Sequence, residues 1–287
     1  MTDDRSQAWR SALFVAANDG ARIAKLRQRN ADLAILDLED AIAPQDKETA
    51  RSVLPGALAA LAEQGHAAAV RVNGDRAMMA ADLDAAVQPG LDAVILPKTE
   101  HLRQIEALSD MIAAREVARG LEPGLISVIA LIETPAALGA LPTIASGPRV
   151  SGLALGSEDF SASLGVPPTF DSLDLPARLI TLAAAAHGLS SFALPFSIAD
   201  FSDLAGFEQA ARKARSFGAT GGLCIHPAQI EVVNRVFAPA EAELVAARAL
   251  MSAWTEAGRP AVLSHNGRMV DRPVILRAAR LLRLTIG

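Results

Sequence analysis

The 287-residue chain has no tyrosine, one cysteine and two tryptophans, and aromatic residues make up only 4% of it. A single thiol, Cys224, excludes an intrachain disulfide and a thiolate metal cage, and it suits a reducing cytoplasm. There is no dense Lys/Arg run, and the formal net charge is -5, which argues against nucleic acid or an anionic membrane as the main partner. No apolar run reaches membrane-spanning length before charge or proline breaks it. The opening MTDDRSQAWRS lacks an apolar core, so the chain reads as soluble and unexported. The glycines of GSEDF and TGG are too few and wrongly spaced for a dinucleotide fingerprint or a phosphate loop.

What is abundant is aliphatic: hydrophobic residues form 51% of the chain, with Ala and Leu foremost. Short apolar runs recur at Ala12–Ala17, Leu33–Leu38, Ala67–Asn73, Leu91–Pro97, Ile126–Ile132, Ser151–Gly156, Ser190–Phe196 and Gly221–Pro227. Helix-like stretches lie between them, including Lys47–Leu61, His101–Arg119, Pro135–Ala145, Leu175–His187 and Asp203–Phe217. Runs apolar throughout suit parallel strands covered by helices, and eight βα units close a barrel. The spacing predicts an α/β fold, a (β/α)8 TIM barrel over residues 1–238. A C-terminal helical extension over 239–287 would follow, with helices at Glu241–Ala257 and Pro273–Leu284 joined by a polar segment. An open doubly wound sheet is the structural alternative.

In a parallel barrel the catalytic face is the one at the carboxyl ends of the strands. Polar residues gather there: Asp37, Glu39 and Asp40 after the second run, Arg71 and Asn73 in the third, and Lys98 after the fourth. Glu133 and Thr134 follow the fifth, Glu158 and Asp159 the sixth, and His226 lies in the eighth. Taken singly, Asp40 or Thr134 reads equally well as a helix-start residue. Together, so many carboxylates with few cations call for a divalent ion. All-oxygen ligands favour Mg2+, with Mn2+ as the alternative. Glu133 and Asp159 suit such a site, although the spacing alone does not choose them over Glu39, Asp40 and Glu158. Arg71 is the residue type that binds a substrate carboxylate in a fork, with Lys98 assisting as a point charge; the plainer alternative is that Arg71 pairs with Glu39 or Asp40. His226 reads as pocket lining, and Cys224 as a small buried hydrophobe.

Several ordered segments resemble a known group nearly end to end: RSALFV (Arg10–Val15), ADLAILDLEDAIAPQDKETAR (Ala31–Arg51), VRVN (Val70–Asn73), LPK (Leu96–Lys98), IET (Ile132–Thr134), GSEDF (Gly156–Phe160), IHPAQI (Ile225–Ile230) and MVDRPV (Met269–Val274). They are similar to the citrate lyase β-subunit and malyl-CoA lyase group of the HpcH/HpaI aldolase superfamily. That resemblance implies Mg2+ held by Glu133 and Asp159, a substrate carboxylate or keto-acid bound by Arg71, and a supporting network of Glu39, Asp40 and Lys47. It implies that Asp271 is an acid/base group delivered from a neighbouring subunit of a homotrimer or higher assembly; on composition Asp271 is only a helix-start carboxylate. The implied reaction is Mg2+-dependent retro-aldol cleavage, or the reverse condensation, of a 3-hydroxyacyl-CoA such as malyl-, citramalyl- or citryl-CoA. Two alternatives stand beside it: a pyruvate-type aldolase without CoA, and a citrate lyase β-subunit active only in a complex with an acyl-carrier protein. Two positions depart from the group's pattern, Ala16-Ala17 in place of Pro-Gly after the first strand, and Ala193-Leu194 where an Asp is common before the seventh turn.

Overall fold

The computed structural model describes residues 9–282, apart from the side chain of Arg27. Eight strands form one parallel sheet: β1 (Ser11–Ala16), β2 (Leu33–Asp37), β3 (Ala67–Arg71), β4 (Ala93–Leu96), β5 (Ser127–Ile132), β6 (Val150–Leu155), β7 (Ser190–Phe192) and β8 (Gly222–Cys224). Neighbours in space are neighbours in sequence from β1 to β7, and β1 also pairs with β8. At the β7–β8 seam the Ser191 carbonyl accepts from Thr220 N (3.0 Å) and Gly221 N (3.1 Å). The sheet thus curls into a nearly closed barrel, which excludes the open doubly wound alternative. Gly221 permits the closure, because a Cβ there would run into the Arg10 carbonyl oxygen.

Each strand divides its side chains by parity. One set, with Leu33, Ile35, Ala69, Ala93, Ile95, Ile129, Leu131, Ala154, Phe192 and Leu223, fills the barrel interior, and Trp9 joins it. The alternate set, including Leu36, Val70, Val94, Ala130, Ile132, Leu153 and Cys224, packs against the helices. Both faces are apolar, which is why the runs read as continuous rather than alternating.

The expected elements end where hydrogen bonding stops. β7 is shorter than the run Ser190–Phe196: its pairing with β6 ends at Ala154 and Phe192, and further on the Phe196 N–H turns back to the Leu194 carbonyl at 2.9 Å. β3 stops at Arg71, and the Asn73 N–H goes instead to Asp82 Oδ2 at 2.7 Å. The helix Phe170–Ala186 starts before the expected Leu175 because Thr169 accepts from Ser172 N.

At the amino ends of β5 and β6 the interior polarity is structural. Glu116 is fully buried and receives Arg149 Nη1 (2.9 Å) and Nη2 (2.6 Å), together with the N–H groups of Gly124 (2.9 Å) and Ile126 (3.2 Å). Burial opposes ionisation, but these donors win and hold the Glu116 carboxyl below its ordinary range.

The chain parts into two compact units with the boundary between Phe237 and Ala238. The second unit contains the helix Glu241–Glu256, β9 (Val262–His265), β10 (Arg268–Asp271) and the helix Arg272–Leu281. The segment expected to be a plain polar connection is an antiparallel hairpin. Its turn is Asn266-Gly267, both left-handed at φ 50° and 72°, the pairing that a two-residue turn demands. The expected helix end at Leu284 lies outside the described residues.

Candidate active site

Parity continued past the apolar layers places the next inward side chains at the carboxyl end of the barrel: Asp37 after Ile35, Arg71 after Ala69, Glu133 after Leu131 and Gly156 after Ala154. Asp37 and Arg71 are register partners across β2 and β3. The guanidinium grips Asp37 with both arms, Nε to Oδ1 at 2.7 Å and Nη2 to Oδ2 at 2.6 Å. Its remaining nitrogen, Nη1, lies 3.1 Å from Glu39 and 3.3 Å from Asp40. The Phe14 ring backs the guanidinium, with Cζ 4.9 Å from its centroid. Burial works against the Arg71 charge, but Asp37, Glu39 and Asp40 raise its pKa above the ordinary value.

Asp37 is held in turn by the N–H groups of Glu39 (2.9 Å) and Ala41 (3.0 Å), so the turn after β2 is folded around it. Lys47 closes the turn from behind. Its buried ammonium donates to the carbonyls of Leu38 (2.6 Å) and Glu39 (2.6 Å) and to Asn73 Oδ1 (2.8 Å). With those three bonds made, Lys47 holds the backbone that carries Glu39 and Asp40, and its donors are committed.

Glu133 stands at the end of β5, 2% exposed. Lys98 N donates to its Oε2 at 2.6 Å, from a residue held at φ 48°. Gly156 lies so close that a Cβ there would come within 2.5 Å of Glu133 Cγ and 2.8 Å of Oε1. Burial above all pushes the Glu133 carboxyl up to about 8; Glu39 and Asp159 add to the shift, while the Lys98 amide and Arg71 oppose it. Burial likewise raises Glu39, with Arg71 and Lys98 opposing. Glu39 Oε2 is buried without a hydrogen bond, because its approach to Arg71 Nη1 has poor geometry.

Lys98 is exposed at the rim, Nζ 3.6 Å from Glu39 Oε1. Burial pulls its pKa down, but Glu39, Asp40, Glu133 and Asp159 outweigh that and leave the ammonium above its ordinary value. Asp159 is half-buried in the first turn of the helix Ser157–Leu164. Glu158, one residue earlier, accepts from Ser197 Oγ (2.7 Å) and Ser157 Oγ (3.2 Å), which ties this helix to the segment after β7.

Among the sequence candidates, the structure gathers Glu39, Asp40, Arg71, Lys98, Glu133 and Asp159 into one electrostatic cluster. His226 instead stacks on Phe201 at 5.0 Å, and its Nδ1 accepts the Ala228 N–H at 3.2 Å. Asp271 belongs to the second unit. It precedes the helix Arg272–Leu281, but its carboxylate makes no capping hydrogen bond there. Cys224 is fully buried, which pushes its thiol up and away from reactivity. Sequence reasoning passed over Asp37 as a functional residue, although strand parity through Leu33 and Ile35 marks it.

Among the described residues no three His, Cys, Asp or Glu side chains stand close enough to cage a metal alone. The donor set nevertheless fits an ion that takes one or two carboxylates and completes its shell with water and ligand oxygens, as Mg2+ does. Five carboxylates, Asp37, Glu39, Asp40, Glu133 and Asp159, face two cations, Arg71 and Lys98. A buried Glu39 oxygen without a hydrogen bond and a buried Glu133 carboxyl beside Glu39 and Asp159 leave acceptor capacity that a bound ion would take up.

Residues 10–227 match the family described as HpcH/HpaI aldolase/citrate lyase. The chain is 33% identical over 283 residues to the citrate lyase subunit beta of Leuconostoc mesenteroides subsp. cremoris, an alignment that covers 96% of this chain and 92% of that protein. It is 32% identical over 301 residues to the L-malyl-CoA/beta-methylmalyl-CoA lyase of Cereibacter sphaeroides, with 96% and 93% covered. The fold matches protein CitE from Mycobacterium tuberculosis, solved in complex with magnesium, acetoacetate and coenzyme A, at TM-score 0.73 and 31% identity over 96% of this chain and 98% of that one. The chain therefore belongs to the HpcH/HpaI aldolase/citrate lyase family and is an enzyme of the lyase class.

Proposed function

We propose that the enzyme cleaves, or forms in reverse, the C2–C3 bond of a 3-hydroxyacyl-CoA such as malyl-, citramalyl- or citryl-CoA, with Mg2+ at Glu133 and Asp159. The observation that carries this reading is the placement of Glu133, 2% exposed at the carboxyl end of the barrel, fixed by the Lys98 amide at 2.6 Å and grouped with the carboxyls of Glu39 and Asp159. A bound Mg2+ supplies Lewis-acid polarisation of substrate oxygens and sets their orientation. Arg71 Nη1, the arm not spent on Asp37, binds the substrate carboxylate in exchange for Glu39 and Asp40. Lys98 adds a point charge at the rim. In the cleavage direction the 3-hydroxyl gives its proton to water and becomes the carbonyl of a keto-acid, while the electrons of the broken bond pass to C2, the carbon alpha to the thioester, as an enolate. Asp271 returns a proton to that carbon. Its freedom from capping duty is consistent with this role, and a neighbouring subunit of a homotrimer is the proposed source. The barrel is proposed as the catalytic domain and residues 239–287 as the extension that serves it. Glu158 and His226 line the substrate pocket in this reading. Among the described residues no helix is long and apolar enough to cross a membrane.

The test is a panel of malyl-, citramalyl- and citryl-CoA with Mg2+ and mass detection of products, run on protein whose oligomeric state is measured alongside. Turnover by a homotrimer that chelation abolishes supports the reading, and undiminished turnover after chelation sinks it. Cleavage of a free hydroxy keto-acid without CoA points to the aldolase alternative. Activity that appears only with an acyl-carrier partner points to the citrate lyase subunit, the function its Leuconostoc relative is named for.

Gly156 offers an independent probe. In Gly156→Ala the new methyl displaces Glu133 at Cγ, which is not the free end of the side chain. The expected result is an approximately 10- to 100-fold weaker Mg2+ affinity by calorimetry, together with a thermal midpoint lower by a few degrees, since overpacking against a buried side chain costs about 1–3 kcal/mol.

A further inference from the structure

The turn between β4 and the helix Leu102–Ala118 holds Glu133 from the side opposite Gly156, and one glutamine organises it. Gln104 Oε1 accepts from Glu100 N (2.7 Å) and His101 N (2.9 Å), while its Nε2 donates to the Lys98 carbonyl at 3.1 Å. Acceptance from His101 is ordinary helix capping by the third helical residue. The grip on Lys98 goes further. Lys98 is left-handed at φ 48°, a conformation that Lys lacks the short polar side chain to stabilise, and that conformation aims its N–H at Glu133 Oε2 across 2.6 Å. The same turn reaches Thr134, whose hydroxyl donates to Glu100 Oε1 at 2.6 Å. Both polar residues of the turn after β5 are therefore fixed by a segment that Gln104 ties together.

A comparison within the fold separates capping from this extra duty. Gln229, also the third residue of its helix, accepts from Ile225 N (2.9 Å) and His226 N (3.0 Å), but its Nε2 donates to Ile198 O at 2.9 Å, across to the segment after β7. Gln229 caps and braces the β8 turn without touching a residue that holds Glu133.

We infer that Gln104 is a positioning residue for the metal-binding carboxylate: by bonding the Lys98 carbonyl it holds the left-handed turn whose amide fixes Glu133. This rests on the reading that Glu133 binds Mg2+. The experiment pairs calorimetric Mg2+ titration with the NMR shift of the Lys98 amide proton in metal-free protein. In the wild type that proton, held on Glu133 Oε2 with 2.6 Å between N and O, resonates well downfield. In Gln104→Ala it moves upfield and the Mg2+ dissociation constant rises about 10- to 100-fold. Gln104→Glu keeps acceptors for the Glu100 and His101 amides but loses the donor to Lys98. It is expected to share both defects, and it serves as the test variant if the alanine form does not fold. Gln229→Ala, which loses an equivalent cap, keeps the wild-type Lys98 shift and Mg2+ affinity. A Gln104→Glu protein with an unmoved Lys98 amide and an unchanged Mg2+ constant overturns the inference. If the wild type binds no Mg2+ at Glu133 while the amide still moves in the variants, the positioning stands and the metal reading alone falls.

Discussion

Glu133→Gln is expected to remove Mg2+ binding and to slow carbon–carbon cleavage by about a thousandfold or more, since Lewis-acid stabilisation contributes several kcal/mol and each 1.36 kcal/mol is roughly tenfold in rate. The replacement keeps the shape of a side chain that is 2% exposed, so the fold is spared. The same residue makes two pH-dependent predictions. Its carboxyl is raised from 4.5 to about 8 in the folded, metal-free protein. Between those values the unfolded chain has given up the proton and the folded chain retains it, so this group makes the metal-free protein less stable as pH rises through the window. Glu133→Gln flattens that slope and is more stable than the wild type above pH 8, by an amount of the order of a few kcal/mol. Metal binding has the opposite dependence. The ion needs the carboxylate, so each unit of pH below about 8 weakens wild-type Mg2+ affinity roughly tenfold. Calorimetry and thermal melts across pH 5–9, with and without Mg2+, check both slopes; a wild-type affinity independent of pH would refute the assignment of Glu133.

The second large effect belongs to the other end of the barrel and to stability. Arg149→Met strips the two guanidinium bonds from Glu116, which is fully buried, and leaves it with backbone N–H groups only. Breaking a buried pair on one side costs about 3–5 kcal/mol, which for a chain of this size lowers the melting midpoint by about 10 °C. The turnover number at 25 °C should stay within twofold, because the pair lies at the amino ends of β5 and β6. The double variant Glu116→Leu/Arg149→Met is expected to recover most of the loss. In the wild type, Glu116 sits below its ordinary value, so its contribution is complete above the unfolded pKa and disappears as pH falls through the folded one. A single variant that melts with the wild type would show that the pair contributes nothing net.

Much of this was legible in the primary structure, for physical reasons. Strands covered on both faces read as unbroken aliphatic runs, so eight of them located the barrel, and the polar residues that ended them located its working face. Arg71 and the carboxylates Glu39, Asp40, Glu133, Glu158 and Asp159 stood out as a group because charge cannot lie deeper in such a strand, but only the resemblance to the family selected Glu133 and Asp159 from among them. Asp37 stood among the polar residues at the strand end but without a role, since LDLED offers three acids within four residues, and only counting inward positions shows which one meets Arg71. Gln104 was invisible because its role depends on a backbone conformation at Lys98 that no side-chain pattern announces. The hairpin in the second unit, by contrast, carried an Asn-Gly signal that was there to be read.

The placement of Asp37, Arg71 and Glu133 in phase with the interior apolar layers bears on how the chain finds its fold. Were β2, β3 or β5 to slip by one residue, these charged groups would turn outward into the packed helix layer, while Leu36, Val70 or Ile132 would turn into the barrel. A misregistered barrel would thus bury unpaired charge against aliphatic side chains, at a penalty far above that of a misplaced leucine. Arg71 and Glu133, proposed to take part in the reaction, and Asp37, which grips Arg71, would therefore also penalise misaligned strands during folding.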